Sequence, residues 1–309
     1  MKNQYHLHDY VFGVITTVFL MTTLGCGNSE DQRTSLKVMT FNILCSFCDQ
    51  SYPPFEERLA YFKDIFDRND PDLIGLQELT WPDEVDKILK LHPGFKAIYY
   101  KGSEPGPMGF TDYPDATILF RADRFTLVDK HFFWLSPTPD EPWSAGFAEG
   151  GQLPRLAAMA ELVDKISGSK ILFLTTHVDN NSPSQEKSAP LILERLTPYD
   201  KEMPLIVTGD FNSTPTSKAY SILTTGKSEN RPGTGLKLID AFDLALEKKT
   251  PTNQDPAPEY DPAERIDHIF LAGKGTKWTC AKWSADLFMY GDGPQFPSDH
   301  RAISSEIEY

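Results

Sequence analysis

The stretch PLIVTGDFN, residues 204–212, decides how the chain is read: an apolar run of strand length breaks at a glycine into a carboxylate and an amide. Four apolar or β-branched residues followed by Gly-Asp-Phe-Asn fit a buried strand that delivers Asp210 and Asn212 to its end. A carboxylate at the end of a buried strand is costly unless it is paired or holds a cation. The same pattern recurs: Asn42 follows KVMTF, Glu78 follows LIGLQ, His177 follows ILFLTT, Asp267 lies within RIDHIF, and Asp299 and His300 lie within SDHRA. Singly, each has a structural role open to it, Asn42 as a turn former, Glu78 as a cap and Asp299 in an Asx-turn. Together, several on one sheet edge point to a shared ion. Oxygen ligands select hard metals, Mg²⁺, Mn²⁺ or Ca²⁺. His177 and His300 then supply donors for a phosphate or a proton relay, and an acidic neighbour such as Asp267 would fix one tautomer and stabilise the imidazolium.

Outward from this motif, further strands are expected at 36–43, 72–77, 95–100, 116–120, 125–135, 155–163, 170–176, 265–271 and 301–307. Helical spacing appears at 55–66, 82–91 and 184–196, with Pro or Ser at the starts. This mixed order favours an α+β fold of two packed sheets over a doubly wound sheet, and no composition break or repeat divides residues 36–309. Loops rich in Pro, Gly and aromatics at 101–115 and 136–154 are candidate substrate walls; Trp143 and Phe147 either line such a wall or fold back as satellite cores. His268 falls in the opposite alternation phase to Asp267 and is left out of the site, as are His92 and His131.

Hydrophobic residues at 40% and charged residues at 24% exclude a disordered chain and a multi-span membrane protein. Thirty Lys and Arg against 44 Asp and Glu give −14; residues 1–25 contribute only Lys2 and Asp9, so the remainder carries the same charge. A broad nucleic-acid-binding surface is disfavoured. The uncharged stretch YVFGVITTVFLMTTLG, residues 10–25, is too short to span a bilayer and reads as an export signal over residues 1–25. TLGC at 23–26 resembles a bacterial lipobox, which would make Cys26 the lipidated residue; an ordinary signal with an incidental cysteine is the other reading. Residues 26–35 then form a linker. Cys45 and Cys48 have CxxC spacing without a second pair to complete a zinc site, leaving a local disulfide or two free thiols, with Cys280 over.

In this order the motifs resemble the endonuclease/exonuclease/phosphatase superfamily, with its deoxyribonuclease-like fold, across residues 36–309. TFN at 40–42, LQE at 76–78, TH at 176–177, GDFN at 209–212, RID at 265–267 and SDH at 298–300 carry the resemblance. It implies a four-layer sandwich of two packed mixed β-sheets flanked by helices. It further implies Glu78 as principal metal ligand with Asn42 and Asp299 beside it, and Asp210 as the base that activates water. Asn212 would hold water or a phosphate oxygen, Asp267 would orient His300 against the scissile phosphate, and His177 would stabilise the transition state. FWLSPTPD, LPR and THVDNNSPSQEKSA are similar to a bacterial phosphatase-like subgroup, implying substrate contacts for Arg155, Lys187 and Asn180, with the neighbouring Asp179 as the other residue that could face the site. Lys187 stands where that subgroup has Arg, so bidentate geometry is lost.

The expected function is metal-dependent hydrolysis of a phosphate mono- or diester by an exported, membrane-tethered or secreted monomer. Mg²⁺ or Mn²⁺ is the expected ion and Ca²⁺ a third candidate; small phosphate esters or lipid headgroups are favoured over nucleic acid as substrates. An extracytoplasmic nuclease is the runner-up. A surface lipoprotein that binds through its long loops, its site idle, is the reading from another class.

Overall fold

The computed structural model describes residue 1 and residues 33–107, 109–147, 153–229 and 233–309; the expected signal, Cys26 and most of the linker lie outside the described residues. Arg33–Tyr309 forms one compact unit. Strands β1 (Ser35–Asn42), β2 (Leu73–Gln77), β3 (Phe95–Lys101) and β4 (Asp112–Arg121) precede β5 (Phe125–Trp134), β6 (Leu156–Asp164), β7 (Lys170–His177) and β8 (Leu205–Asp210). β9 (Ile239–Asp240), β10 (Ala245–Lys249), β11 (Asp267–Ala272), β12 (Thr279–Ala285) and β13 (Ile303–Glu308) follow. The helices are α1 (Phe55–Asn69), α2 (Pro82–Leu91), α3 (Ser182–Leu196), α4 (Lys218–Thr225) and the short α5 (Ala241–Leu244). One sheet has seven strands in the order β10-β12-β13-β1-β2-β4-β3, the other six in the order β5-β6-β7-β8-β11-β9. Parallel pairs β1/β2, β7/β8 and β10/β12 sit among antiparallel ones, so both α+β and the four-layer sandwich hold.

Period-two alternation builds the layers. Leu36 and Val38 of β1, Leu73 of β2, Phe173 of β7 and Ile206 of β8 face the core between the sheets. In the other phase, Met39, Phe41 and Ile74 pack under Phe62, Ile65 and Phe66 of α1 and Val85 and Ile88 of α2. Leu172, Leu174 and Val207 pack under α3 and α4 on the far side. Along the inward phase each strand becomes more polar towards one end: Leu36, Val38, Thr40, Asn42; Leu73, Gly75, Gln77; Ile171, Phe173, Thr175, His177; Ile206, Thr208, Asp210. Gln77 donates to Thr40 Oγ1 at 3.2 Å and Thr175 Oγ1 at 2.9 Å, a polar seam between the sheets. A Cβ on Gly75 would overlap the hydroxyls of Thr175 and Thr208, so this glycine sets how closely the sheets approach.

Strands and helices depart from the expectation at a few edges. β4 begins at Asp112 rather than 116, because Tyr113 pairs with Tyr100 of β3 and stacks on Trp134, so residues 112–115 are strand and not loop. β11 begins at Asp267 rather than 265, since Arg265 turns to Asp240, its Nη2 donating at 2.8 Å. β12 and the charged edge strand β10 were not expected: TCAKWSA and ALEKK carry little apolar alternation, and partners across the sheet hold them. Trp143 packs against Tyr100, Tyr113 and Trp134, and Phe147 is buried, so both fold back into cores. Cys45 and Cys48 form a disulfide and Cys280 is a buried free thiol.

Gly75→Ala should lower unfolding free energy by about 1–3 kcal/mol through overpacking. The fold should survive and turnover should fall, because the strand ends above the seam move apart; chemical denaturation and kinetics on the same sample check both.

Candidate active site

Backbone register brings the polar strand ends together. His177 is the parallel partner of Asp210, and Asp267 its antiparallel partner, so three neighbouring strands of one sheet present them side by side. Asn42 and Glu78 arrive from β1 and the end of β2 in the facing sheet. Gly209 lets the GDFN turn form: it has φ 152°, and a Cβ there would run into the Thr176 carbonyl. Asn212 and Glu78 adopt left-handed φ of 48° and 68°, a strained geometry that clusters at functional sites. Asn212 N–H donates to Asp210 Oδ1 at 2.8 Å, orienting the carboxylate from its own loop.

Asn42 Nδ2 donates to Glu78 Oε1 at 2.9 Å and to Asp210 Oδ2 at 3.1 Å, while its Oδ1 accepts from Leu44 N–H at 3.1 Å, which fixes the amide's direction. Cys45 N–H donates to Glu78 Oε2 at 2.8 Å. Above Asp210 stand two imidazoles, His177 Nε2 at 3.5 Å and His300 Nε2 at 3.6 Å from Oδ2. Each is backed by an acid: Asp267 Oδ2 accepts from His300 Nδ1 at 2.8 Å, and Asp115 Oδ1 lies 3.0 Å from His177 Nδ1. Burial alone would lower the basicity of His300, but the Asp267 charge and hydrogen bond, with Asp210 and Asp299 beyond, push its pKa up to about 10. It is an imidazolium at neutral pH.

Asp115 was missed in the sequence, where it closed a presumed loop; the legible signal was an acid directly before the apolar run ATILF, the pattern of the other site residues in reverse order. Arg155 Nη1 lies 3.3 Å from Asp115 Oδ2 and 2.6 Å from His177 Nδ1. Burial would raise the Asp115 carboxyl, but His177 and Arg155 outweigh it and hold the pKa below the ordinary range. The same acid keeps the buried Arg155 guanidinium firmly charged, against burial. Arg155 Nε is buried with no hydrogen-bond partner among the described residues.

Of the expected site residues, Asn42, Glu78, Arg155, His177, Asp210, Asn212, Asp267 and His300 converge. Asn212 Nδ2 is committed to the Val178 carbonyl at 2.9 Å. Asp299 is exposed, accepts from Ser298 Oγ at 3.3 Å, and acts on the cluster through its charge on His300. Asn180 is exposed, whereas its neighbour Asp179 is buried and accepts from Asn181. Lys187 turns away, its Nζ donating to the Phe147 carbonyl at 2.6 Å. A cation on a four-carbon stem reaches that loop oxygen more readily than it spans the site. His268 is buried on the other face, between Asp240 Oδ2 at 3.1 Å and the Ser213 carbonyl at 2.9 Å. His131 lies on the surface beside Asp129 and Glu161, the latter brought across from β6.

The donor set fits a hard cation. Glu78 and Asp210 are bridged by the Asn42 amide, each with one main-chain N–H besides, and Asp267 Oδ1 is buried without a partner among the described residues. Oxygen atoms of Asp210 and Asp267 and a nitrogen of His300 lie within 4.8 Å of one another. Such a surplus of carboxylate oxygen attracts a divalent ion. Asp115→Asn should leave His177 and Arg155 without their acid and lower kcat about 10–100-fold, as loss of an orienting partner does. A KM that rises by the same factor, with kcat unchanged, would instead make Asp115 a binding residue.

The model of the Endonuclease/Exonuclease/phosphatase family matches residues 39–300. In sequence, the chain is 27% identical over 220 residues to the Carbon catabolite repressor protein 4 homolog 3 of Arabidopsis thaliana, a match covering 68% of this chain and 43% of the relative. The chain thus spans less than half the length of that relative. Among solved structures, an endonuclease/exonuclease/phosphatase family protein of Bacteroides thetaiotaomicron has a TM-score of 0.74 at 26% identity, with 90% of this chain and 99% of that one covered. A mannosyl-6-phosphatase of the same organism has a TM-score of 0.73 at 24% identity, covering 89% and 100%. The human Nocturnin catalytic domain with bound sulfate has 0.63 at 20% identity, covering 90% and 97%. With the family's model matched over most of its length and the polar strand ends gathered at one sheet edge, the chain belongs to the endonuclease/exonuclease/phosphatase family.

Proposed function

We propose that this protein is a divalent-metal-dependent phosphoesterase that hydrolyses a phosphate monoester by in-line attack of a water activated by Asp210. The observation that carries the reading is the position of Asp210 Oδ2, facing two imidazole Nε2 atoms and the Asn42 amide beside Glu78. Asp210 Oδ1 is held by the Asn212 N–H, so the carboxylate is fixed and its other oxygen is turned to the site to accept the water's proton. His300, charged at neutral pH, donates to a phosphoryl oxygen, and Asp267 keeps its ring aimed. Arg155, kept charged beside Asp115 and next to His177, adds positive charge near a bound dianion. Glu78, joined to Asp210 through the Asn42 amide, would hold Mg²⁺ or Mn²⁺, which would supply charge neutralisation at the phosphoryl oxygens. The mannosyl-6-phosphatase of like fold supports a phosphate monoester on a sugar as the substrate to test first. The net charge of −14 weighs against extended nucleic acid.

The reading includes export and anchoring through a lipidated Cys26, on the strength of the lipobox-like TLGC and the uncharged stretch before it, with the enzyme acting as a monomer. Among the described residues no helix is long and apolar enough to cross a membrane.

Glu78→Gln and Asp210→Asn should each reduce turnover of hexose 6-phosphates by at least about 10³-fold without unfolding the protein, and EDTA should act likewise, reversed by Mg²⁺ or Mn²⁺. Near wild-type rates in either purified variant would reject the assignment, and preference for plasmid DNA over sugar phosphates would favour the nuclease. The pH profile tests His300 separately. Its pKa is raised, so the charged donor persists through neutral pH and is lost only as pH rises through about 10. In Asp267→Asn the alkaline limb should move down towards the ordinary histidine range of about 6.5; an unmoved limb would remove His300 from the mechanism.

A further inference from the structure

We infer that the Cys45–Cys48 disulfide is a positioning element for Glu78, and that a dithiol which opens it weakens the hold of the site on its divalent ion. The inference rests on Glu78 being the metal ligand proposed above, and it gives a role to a CxxC motif that the hydrolysis itself leaves unused.

The connection runs through one peptide plane. The peptide that joins Leu44 to Cys45 accepts at its carbonyl from Arg58 Nη2 at 2.9 Å and donates from its N–H to Glu78 Oε2 at 2.8 Å. A buried guanidinium and the carboxylate thus grip opposite edges of a rigid amide. Glu78 Oε1 accepts from Asn42 Nδ2 at 2.9 Å, so each carboxylate oxygen has its own donor and the two together fix a terminal torsion that is otherwise broad.

Both ends of the Cys45–Glu78 hydrogen bond stand on unfavourable backbone. Leu44 has φ 61° and Glu78 φ 68°, left-handed values that residues with long side chains keep only where their surroundings impose them. Leu44 is held by its N–H on Asn42 Oδ1 at 3.1 Å, by its carbonyl on Arg58, and by the covalent bond that its neighbour Cys45 makes with Cys48.

Of these restraints the disulfide is the one a reagent can reach. Cys45 is buried, whereas Cys48 lies in the turn 46–50, every residue of which is exposed. The hydrogen bonds of that turn are local, Cys48 N–H to the Cys45 carbonyl at 3.3 Å and Ser51 N–H to Asp49 Oδ1 at 2.8 Å, so the bond to Cys45 is what ties the turn to the site loop. The two sulfurs and a Glu78 oxygen lie within 4.8 Å of one another. A thiolate of the dithiol attacks the exposed Cys48 Sγ, the S–S bond breaks, and Cys45 leaves as a thiolate that takes up a proton. The second thiol of the reductant then resolves the mixed disulfide and releases Cys48. Two electrons and two protons pass to the cysteines, and the reductant ends as a disulfide. With the bond open, Leu44 returns to ordinary backbone values, the peptide after it turns, and the Cys45 N–H leaves Glu78. A carboxylate with one oxygen held in place of two is a poorer ligand for a hard ion.

The test uses the full chain with the disulfide formed, and again after dithiothreitol has been applied and removed under argon. It reads Mn²⁺ binding without substrate, from the electron paramagnetic resonance of the free ion. Reduction should raise the Kd about tenfold, as loss of a partner that orients a ligand does, and reoxidation should restore it; an unchanged Kd, or one that stays high after reoxidation, overturns the inference. Cys48→Ser, which alters only an exposed position, should bind as weakly as the reduced protein and ignore dithiothreitol. Binding like that of the oxidised chain, or a remaining response to the reductant, overturns the inference as well. Kinetics separates positioning from loss of structure. The Mg²⁺ concentration for half-maximal hydrolysis of a hexose 6-phosphate should rise by the same factor on reduction, while kcat at saturating Mg²⁺ stays within about twofold. A kcat lost at every Mg²⁺ concentration would make the disulfide a support of the fold and reject the role. Glu78→Gln keeps the two layers of the argument apart: if it binds Mn²⁺ as tightly as the oxidised wild type, the metal-ligand reading fails, and if it loses binding while reduction changes nothing, only the role of the disulfide fails.

Discussion

The closeness of the two sheets beneath the polar strand ends is the constraint on which the site depends. Residues that belong to different sheets, Asn42 and Glu78 from one and His177, Asp210 and Asp267 from the other, must come within hydrogen-bond reach. Sheets normally pack about 10 Å apart because side chains fill the space between them. Here Gly75 supplies no side chain at the level of Thr175 and Thr208, and Gln77 fills the next level with hydrogen bonds in place of apolar volume. The amide of Asn42 can then touch both Glu78 and Asp210. A larger inward residue at 75 would be a better strand former and a worse neighbour.

Burying so many ionisable groups costs several kcal/mol for each unpaired charge, and the fold offsets this by pairing at every level. Two acid–imidazole pairs, Asp267 with His300 and Asp115 with His177, flank a third carboxylate, Asp210. The loops that carry them are held by a cation of their own. Arg58, almost fully buried in α1, donates to the carbonyls of Pro53, Ile43, Leu44 and Pro297. Among the described residues it has no carboxylate in hydrogen-bond contact, so its donors are satisfied largely by main chain from three separate segments. Ser298 extends the arrangement, its hydroxyl donating to the Asn42 carbonyl at 2.7 Å, which ties the loop of Asp299 and His300 to the end of β1.

Most of this was legible because the inward phase of each strand changes from apolar to polar in the direction of the site. That change is written in consecutive alternate residues, as in Ile206, Thr208 and Asp210, and needs no knowledge of what lies opposite. What was not legible depends on partners distant in sequence. Asp115 looked like the end of a loop because β4 is recruited early by Tyr100, a pairing no local pattern announces. Nothing local singles out Arg58 in its helix, since its carbonyl partners belong to loops up to 239 positions away. β12 stays in its sheet through β10 and β13 on either side, with an alternation too weak to stand alone. Asn180 and Lys187 were assigned by position in a motif, and a turn of one residue in a loop is enough to send a side chain elsewhere: Asp179 is the one turned inward.

The gradient that builds the site also gives the molecule a direction. At one end, alternate residues are polar, paired and strained, with left-handed Glu78 and Asn212 held by their surroundings. At the other, the strands start apolar, and the turns between them carry lysines and an isoleucine in solvent. In a fold whose parallel pairs β1/β2 and β7/β8 all point the same way, these two ends cannot be exchanged by local mutation, because moving a functional residue to the apolar end would place it at the start of a strand whose inward neighbours cannot solvate it. The polar cluster and the point where the chain enters the sheet at Thr34 are therefore separated by the length of a strand, and the separation follows from strand direction before any particular substrate is considered.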